Sequence, residues 1–263
     1  MDKEKSRIAL AVEYQGSRYK GFQKQKNTKE TVQGFLENAL SKVADQDVEI
    51  VCSGRTDAGV HAYNQIIHFD TSSLRDMKSW VKGGNALLPK DIRVLWAKEV
   101  PDSFHARFSA ISRTYRYIIR NSLLPSALER DRALWVQEDL DLKAIRRASL
   151  HLKGEQDFTS FRSSSCQSKT PYRNIHLIRV FKKKELVAIE ITANAFLLNM
   201  VRIIVGTLLE VGRRKIPAKQ IKTILDQRDR NMAGKTSPAE GLYFIGAKYK
   251  RKFKLPSLLN SDI

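Results

Sequence analysis

The residues with the clearest capacity for chemistry are Gly54-Arg55-Thr56-Asp57-Ala58-Gly59-Val60-His61. A single carboxylate stands between an arginine and two glycines, in a chain of 263 residues with formal net charge +19. If such a chain binds a polyanion, Asp57 opposes the binding electrostatically, so its presence points to chemistry on the ligand. Taken alone, the octapeptide reads most simply as a turn, because glycine supplies positive φ and aspartate bonds its own backbone. The Gly54–Gly59 spacing also matches a phosphate-cradling loop. Val60 and His61 stand where that loop needs Lys and Ser or Thr, and an Asp inside it repels phosphate. The phosphate-loop reading is therefore rejected.

Three further segments carry polar or aromatic groups that core packing does not explain. Arg202 interrupts a long apolar helical stretch, one turn from Asn199. That stretch is apolar around most of its circumference, so it reads as largely buried. A buried guanidinium needs an acid partner, for which Asp57 is a candidate. Tyr115 lies among arginines, where a ring can stack on an unpaired base. Ser237-Pro238-Ala239-Glu240-Gly241-Leu242-Tyr243 reads as a turn entering a strand. Glu240 is the other acid in these segments; a glycosidase needs paired carboxylates, and this one reads more simply as a turn or helix-end contact.

Composition bounds what these residues serve. Forty-seven Lys plus Arg face 28 Asp plus Glu, with a pI near 10.0, which suggests a nucleic-acid partner. The excess is distributed: Arg113 to Arg120, Lys182-Lys183-Lys184, Arg213-Arg214-Lys215, and a basic C-terminal tail of Lys248, Lys250, Arg251, Lys252 and Lys254. Cys52 and Cys166 form no C-x-x-C pair, and the five His are scattered, so neither a disulfide framework nor a metal site is expected. No apolar run approaches the roughly 20 residues of a membrane span. The start, Met1-Asp2-Lys3-Glu4-Lys5-Ser6-Arg7, lacks the apolar segment of a signal peptide. A cytoplasmic protein is the expectation.

The elements that must position these groups follow from periodicity. Alternation predicts strands over 8–14, 48–52, 66–69, 92–97, 113–120, 175–181, 186–192 and 242–247. Thr31 caps a helix with the face Val32, Phe35, Leu36, Ala39, Leu40 and Val43. Further helices are read from Leu74, Met77, Val81 and Gly84, from Leu142, Ile145, Ser149 and Leu152, over 196–211, and from Pro217 onward with Ile221, Ile224 and Leu225. This order predicts an α+β fold with antiparallel sheet. A boundary near Pro101 to Phe104 divides the chain into residues 1–104, with Asp57, and residues 105–263, with Tyr115 and Arg202.

Seven segments together carry a family resemblance. They are Tyr19-Lys20-Gly21-Phe22-Gln23-Lys24-Gln25; Gly54 through His61 and Ala62; His105-Ala106-Arg107-Phe108-Ser109-Ala110; Arg113-Thr114-Tyr115-Arg116-Tyr117; Phe161-Arg162 with Cys166-Gln167-Ser168; Phe196-Leu197-Leu198-Asn199-Met200-Val201-Arg202; and Pro238-Ala239-Glu240-Gly241-Leu242-Tyr243. In type and order they resemble the TruA family of tRNA pseudouridine synthases. Two positions depart: Gln15-Gly16 stands where the family usually has Asp-Gly, and Phe22 where it often has Trp.

The resemblance implies two α/β halves with antiparallel sheets, flanked by helices around a central basic cleft, the pseudouridine synthase fold. It implies isomerisation of uridine at positions 38, 39 and 40 of the tRNA anticodon stem and loop, by a homodimer using no cofactor and no metal. By position, Asp57 corresponds to the essential Asp, Arg202 to the Arg that pairs with it, and Tyr115 to the base-stacking Tyr. Arg55 corresponds to an Arg that holds the target nucleotide out of the stack, and Leu242 to an apolar residue near the flipped base. A basic RNA-binding protein without chemistry is the alternative, but it leaves the acid unexplained.

Overall fold

The computed structural model describes residues 5–256. Residues 1–4, part of the start read as lacking a leader, lie outside that range. The chain divides into two units, one comprising the described residues up to Ile111 and those from Phe244 onward, the other Ser112–Tyr243.

In the first unit, β1 (Ser6–Tyr14) runs antiparallel to β3 (His61–Thr71) on one side and to β4 (Ile92–Val100) on the other. The run Ile8–Val12 of β1 is buried without a break, so its apolar side chains are covered on both faces. Helix α1 (Val32–Ala44) starts where expected, with the Thr31 hydroxyl accepting from Gly34 N at 3.2 Å. Its buried side includes Glu37, whose carboxylate accepts from Ile50 N at 3.2 Å and from Gln33 at 2.8 Å. Strand β2 is only Val51–Cys52, shorter than expected, and pairs with His68 and Ile67 of β3. Helix α2 (Met77–Leu87) excludes Leu74, which is 91% exposed. Asp76 caps it by accepting from Ser79 N at 2.5 Å, and Trp80 supplies the core contact.

The second unit holds β5 (Ala110–Asn121, whose first two residues belong to the first unit), β6 (Leu134–Val136), α3 (Leu142–Leu150), β7 (Gly154–Asp157), β8 (Tyr172–Lys183), β9 (Leu186–Ala193), α4 (Met200–Gly212) and α5 (Gln220–Gln227). β5, β9, β8 and β7 are neighbours in that order; each adjoining pair is antiparallel, and β6 joins β5 in parallel. The β8–β9 hairpin turns at Lys184, which adopts φ +55°. The fold is thus α+β with mostly antiparallel sheet. Helix α4 begins four residues after the predicted start: Asn199, at φ +60°, occupies the cap position and breaks the helical path from Phe196.

Strand β10 (Leu242–Tyr249) carries the chain back to the first unit, where it lies beside β3. The expected division at 104 therefore falls inside that unit. Phe104 is fully buried in a cluster with Ala9, Ala11, Ile66, Val100, Ala106 and Phe253. The basic C-terminal run is folded rather than a tail: Phe253 anchors it, with its ring 5.1 Å from that of Phe104.

Part of the positive charge is paired with carboxylates of the same chain. Arg116, buried on β5, donates to Glu190 at 2.8 Å, and Arg179 also pairs with Glu190. Burial pushes the Glu190 carboxyl up, but the hydrogen bonds from Arg179 and Arg116 outweigh it and hold the group below its ordinary range. Arg120 pairs with Glu129 and Glu185, and Arg213 with Glu138 and Glu210. Arg116 and Arg120, part of the distributed basic excess, thus belong to ion pairs within the chain.

His68 sets a pH limit on the first unit. It is buried on β3, and its Nδ1 accepts from Ala106 N at 3.2 Å. Burial, followed by the charges of Arg7 and His105, lowers its pKa to about 4, against the small opposing pull of Asp70. The unfolded chain protonates this residue near pH 6.5, so its stabilising contribution is complete above that pH and is lost as pH falls toward 4. In urea titrations between pH 7 and 4, His68→Gln should lose stability less steeply than the wild type, whatever its baseline. Parallel slopes would remove His68 as the source.

Candidate active site

The Asp57 segment is held by hydrogen bonds at Gly54, Thr56, Asp57, Val60 and His61. Gln65 of β3, fully buried, accepts from Ser53 Oγ at 2.6 Å and from Gly54 N at 3.3 Å, and returns a bond to Gly54 O at 2.5 Å. Thr56 is buried; its hydroxyl bonds the Tyr14 hydroxyl at 2.7 Å and its carbonyl accepts from Phe22 N at 3.0 Å. Burial pushes the Tyr14 hydroxyl well above the usual phenol range, so it stays neutral. Val60 N donates to Asp57 O at 3.2 Å, closing a four-residue turn whose third residue, Gly59, has φ +80°. Positive φ at that position is what a type II turn requires.

Two other glycines let the chain pack against this turn. A Cβ on Gly16 meets Val60 O at 1.9 Å. A Cβ on Gly21, itself at φ +95°, meets Thr56 O at 2.9 Å and Asp57 C at 3.3 Å. The Gly16 amide also donates to His61 Nδ1 at 3.1 Å, so the residue that spoiled the phosphate-loop pattern has a structural task. The outcome is a rigid turn with Asp57 half-buried and Arg55 exposed. Neither Gly16, Gly21, Gln65 nor Tyr14 was assigned a role from the sequence. The glycines stood inside segments already noted, but an approach between distant backbones leaves no local periodicity.

The remaining predicted residues belong to the second unit. Tyr115 on β5 is half-buried, with its ring edge-on to Phe196 at 5.1 Å. Arg202 and Glu210 are the two residues of α4 that are not buried. The Arg202 Nε donates to Ser237 O at 2.7 Å and its Nη1 to Asn199 Oδ1 at 3.1 Å, so neutral acceptors hold much of the guanidinium. Ser237 N in turn donates to Arg202 O at 3.1 Å. A Cβ on Gly206 meets Lys235 O at 1.8 Å, so this glycine allows the 235–237 backbone to cross α4.

The segment continues onto β5. The Tyr117 hydroxyl donates to Pro238 O at 2.8 Å, Ile118 N donates to Gly241 O at 2.8 Å, and a Cβ on Gly241 meets the Tyr117 ring at 2.7 Å. Leu242 is buried at the end of this turn, its amide donating to Ala239 O at 2.9 Å. Residues 237–242 therefore tie Arg202 and Leu242 to the strand that carries Tyr115. Burial first, and then the Glu240 carboxylate, push the Tyr117 hydroxyl above its ordinary range, while the Arg202 charge opposes them. Glu240 is in a turn, as read, but it shares this hydroxyl's surroundings with Arg202.

A family model described as tRNA pseudouridine synthase matches residues 10–109 and 148–250, which include Asp57, Arg55, Arg202 and Leu242. The chain belongs to the tRNA pseudouridine synthase family. Its relatives include tRNA pseudouridine synthase A of Legionella pneumophila (strain Lens), 49% identical over 249 residues and 95% of each chain. That of Alcanivorax borkumensis is 47% identical over 251 residues, 95% of this chain and 94% of the other. That of Hydrogenovibrio crunogenus is 46% identical over 256 residues, 97% of each. As a member of this family the chain is an isomerase, and no helix among its described residues is long and apolar enough to cross a membrane.

The glycine contacts yield a controlled test. Gly21→Ala places a Cβ against the Asp57 turn at φ +95°, whereas Gly154→Ala meets the same strain, at φ +94°, with nothing within 4 Å. Each change should cost about 1–3 kcal/mol of stability from strained backbone. Only Gly21→Ala should also lower kcat, by tenfold or more, when pseudouridine formation is timed in the two variants. Equal turnover in both would mean that the turn tolerates displacement.

Proposed function

We propose that this protein isomerises uridine to pseudouridine at positions 38, 39 and 40 in the anticodon stem and loop of tRNA, with Asp57 reacting at a flipped-out nucleotide. The observation that carries this reading is one half-buried carboxylate on a clamped turn, in a chain of net charge +19 that belongs to the tRNA pseudouridine synthase family. The relatives' name, tRNA pseudouridine synthase A, supports the coarser statement that tRNA uridine is the substrate. The resemblance supports the finer one.

The reaction breaks the C1′–N1 bond, turns the base, and joins C1′ to C5. No atom is gained or lost, so the chemistry calls for no cofactor. A uridine stacked in a helix is out of reach of a carboxylate and must leave the stack. Asp57 then attacks C1′ or abstracts a ribose proton; both routes require it ionised. Arg202 is assigned as its counter-charge, opposing the rise in pKa that burial brings. Arg55, exposed beside it, is assigned to hold the flipped nucleotide. Tyr115 stacks on the base, and Leu242 supplies an apolar contact near it. The same reading makes the enzyme a cytoplasmic homodimer.

The deciding experiment maps pseudouridine in unmodified tRNA treated with the purified protein. Product is expected in the anticodon arm. Free uracil would indicate a hydrolase, and bound but unaltered tRNA an RNA-binding protein. Asp57→Asn should slow product formation by about 10²- to 10⁴-fold or more while tRNA affinity stays nearly constant; normal turnover would exclude Asp57 as the reacting group. Tyr115→Phe should keep the stack, whereas Tyr115→Ala should lose about 1–3 kcal/mol of it, read as a rise in KM. Equal KM values in the two variants would refute a stacking role.

A further inference from the structure

The segment His105-Ala106-Arg107-Phe108-Ser109 has no place in the reaction so far, yet it holds the most unusual aromatic of the first unit. Phe108 is 74% exposed. Exposure of this kind often marks a loose loop, but here the backbone is braced from several sides. Ser109 N donates to His105 O at 2.9 Å, and His105 N to Ser109 Oγ at 3.0 Å. The amides of Arg107 and Phe108 both donate to His105 Nδ1 at 3.2 Å. Ala106 N donates to His68 Nδ1, and Ala106 O accepts from the Tyr249 hydroxyl at 2.6 Å.

The turn also supports a ladder of rings. His68 lies 4.8 Å from His105, centroid to centroid, and His105 lies 4.3 Å from Phe108 at 32° between planes. Both imidazoles are held below their ordinary pKa, first by burial and then by the Arg7 charge. The ladder therefore rises from the buried strand β3 and ends at an exposed ring. The Arg107 guanidinium lies 5.5 Å from the centroid of that ring.

We propose that Phe108 is a stacking site for an unpaired base of the tRNA, distinct from the uridine being isomerised. The proposal rests on the reading that tRNA is the substrate. The surroundings favour a nucleotide: the Arg107 guanidinium lies 5.5 Å from the ring centroid, a cation beside a stacking face, and every base offers that ring a π-face. The site is linked to the Asp57 turn through β3 and β2. His68, at the ladder's foot, pairs with Val51, and the half-buried Cys52 next to it feels the charges of both Arg55 and Arg107. Asp57 lies six residues beyond Val51, so that leg of the path spans at most about 22 Å.

The test compares Phe108→Ala, Phe108→Leu and Phe108→Trp with the wild type. Each is expected to fold, because the side chain is exposed. Phe108→Ala and Phe108→Leu should raise KM for tRNA by about 5- to 150-fold, the equivalent of one stacked base, with kcat nearly unchanged. Phe108→Trp should keep KM low. Its added indole emission, after subtraction of the three native tryptophans, should be quenched by tRNA. Wild-type KM in Phe108→Ala, or full rescue by Leu, would overturn the stack. So would a lowered mass in sedimentation of Phe108→Ala, which would assign the ring to self-association. Quenching is read from binding alone, so quenching without product counts against the isomerase reading only. Product without quenching, at unchanged KM, counts against the stack only.

Discussion

The site depends on backbone seated directly against backbone around one carboxylate. Asp57 sits in a turn that Gly16 and Gly21 approach so closely that neither can carry a side chain without movement. Tyr14, Thr56 and Gln65 complete the clamp with buried hydrogen bonds. An acid in a strongly basic protein is attracted to neighbouring arginines and lysines, and a mobile turn would let it find them. The clamp fixes where the carboxylate stands. It also spares the reaction the entropy of ordering the turn, which is where a rigid scaffold contributes to rate.

The second unit applies the same device to Arg202 and Leu242, two of the residues proposed for the site. Gly206 lets residues 235–237 cross α4, and Gly241 lets the following turn lie on the Tyr117 ring. Arg202 is thereby fixed by Ser237 and Asn199, and Leu242 by its own turn. Aromatic contacts then orient the rings: Tyr115 against Phe196, and Phe108 against His105. Charge is handled by subtraction. Arg116, Arg120 and Arg213 pair with carboxylates of the same chain, which leaves less of their charge for a partner. Binding that rests on the remaining charge weakens as salt rises.

How far the fold was legible differs from element to element. The helix capped by Thr31 and the β8–β9 hairpin were both read at nearly their true limits, because cap, periodicity and turn chemistry agree locally. Leu74 was misplaced in a helix because an isolated leucine fits the period, while Asp76, the true cap, lay inside the assumed helix. The start of α4 was set too early because the run from Phe196 is apolar, and the left-handed Asn199 that interrupts it cannot be told from composition. The lysine-rich end was taken for a tail, yet Phe253 anchors it in the first unit's core.

The sequence by itself determined the α+β class, the family, and which residue types could react, since these rest on periodicity and on ordered motifs along the chain. Only the tertiary structure decided how Asp57 is held, which arginines are already paired, where the chain divides, and that Phe108 crowns a braced ladder of rings. The physical reason is that these features rest largely on contacts between segments tens of residues to more than a hundred apart. No local propensity encodes such a contact, and the glycines that permit it are defined by the atoms that come to lie against them.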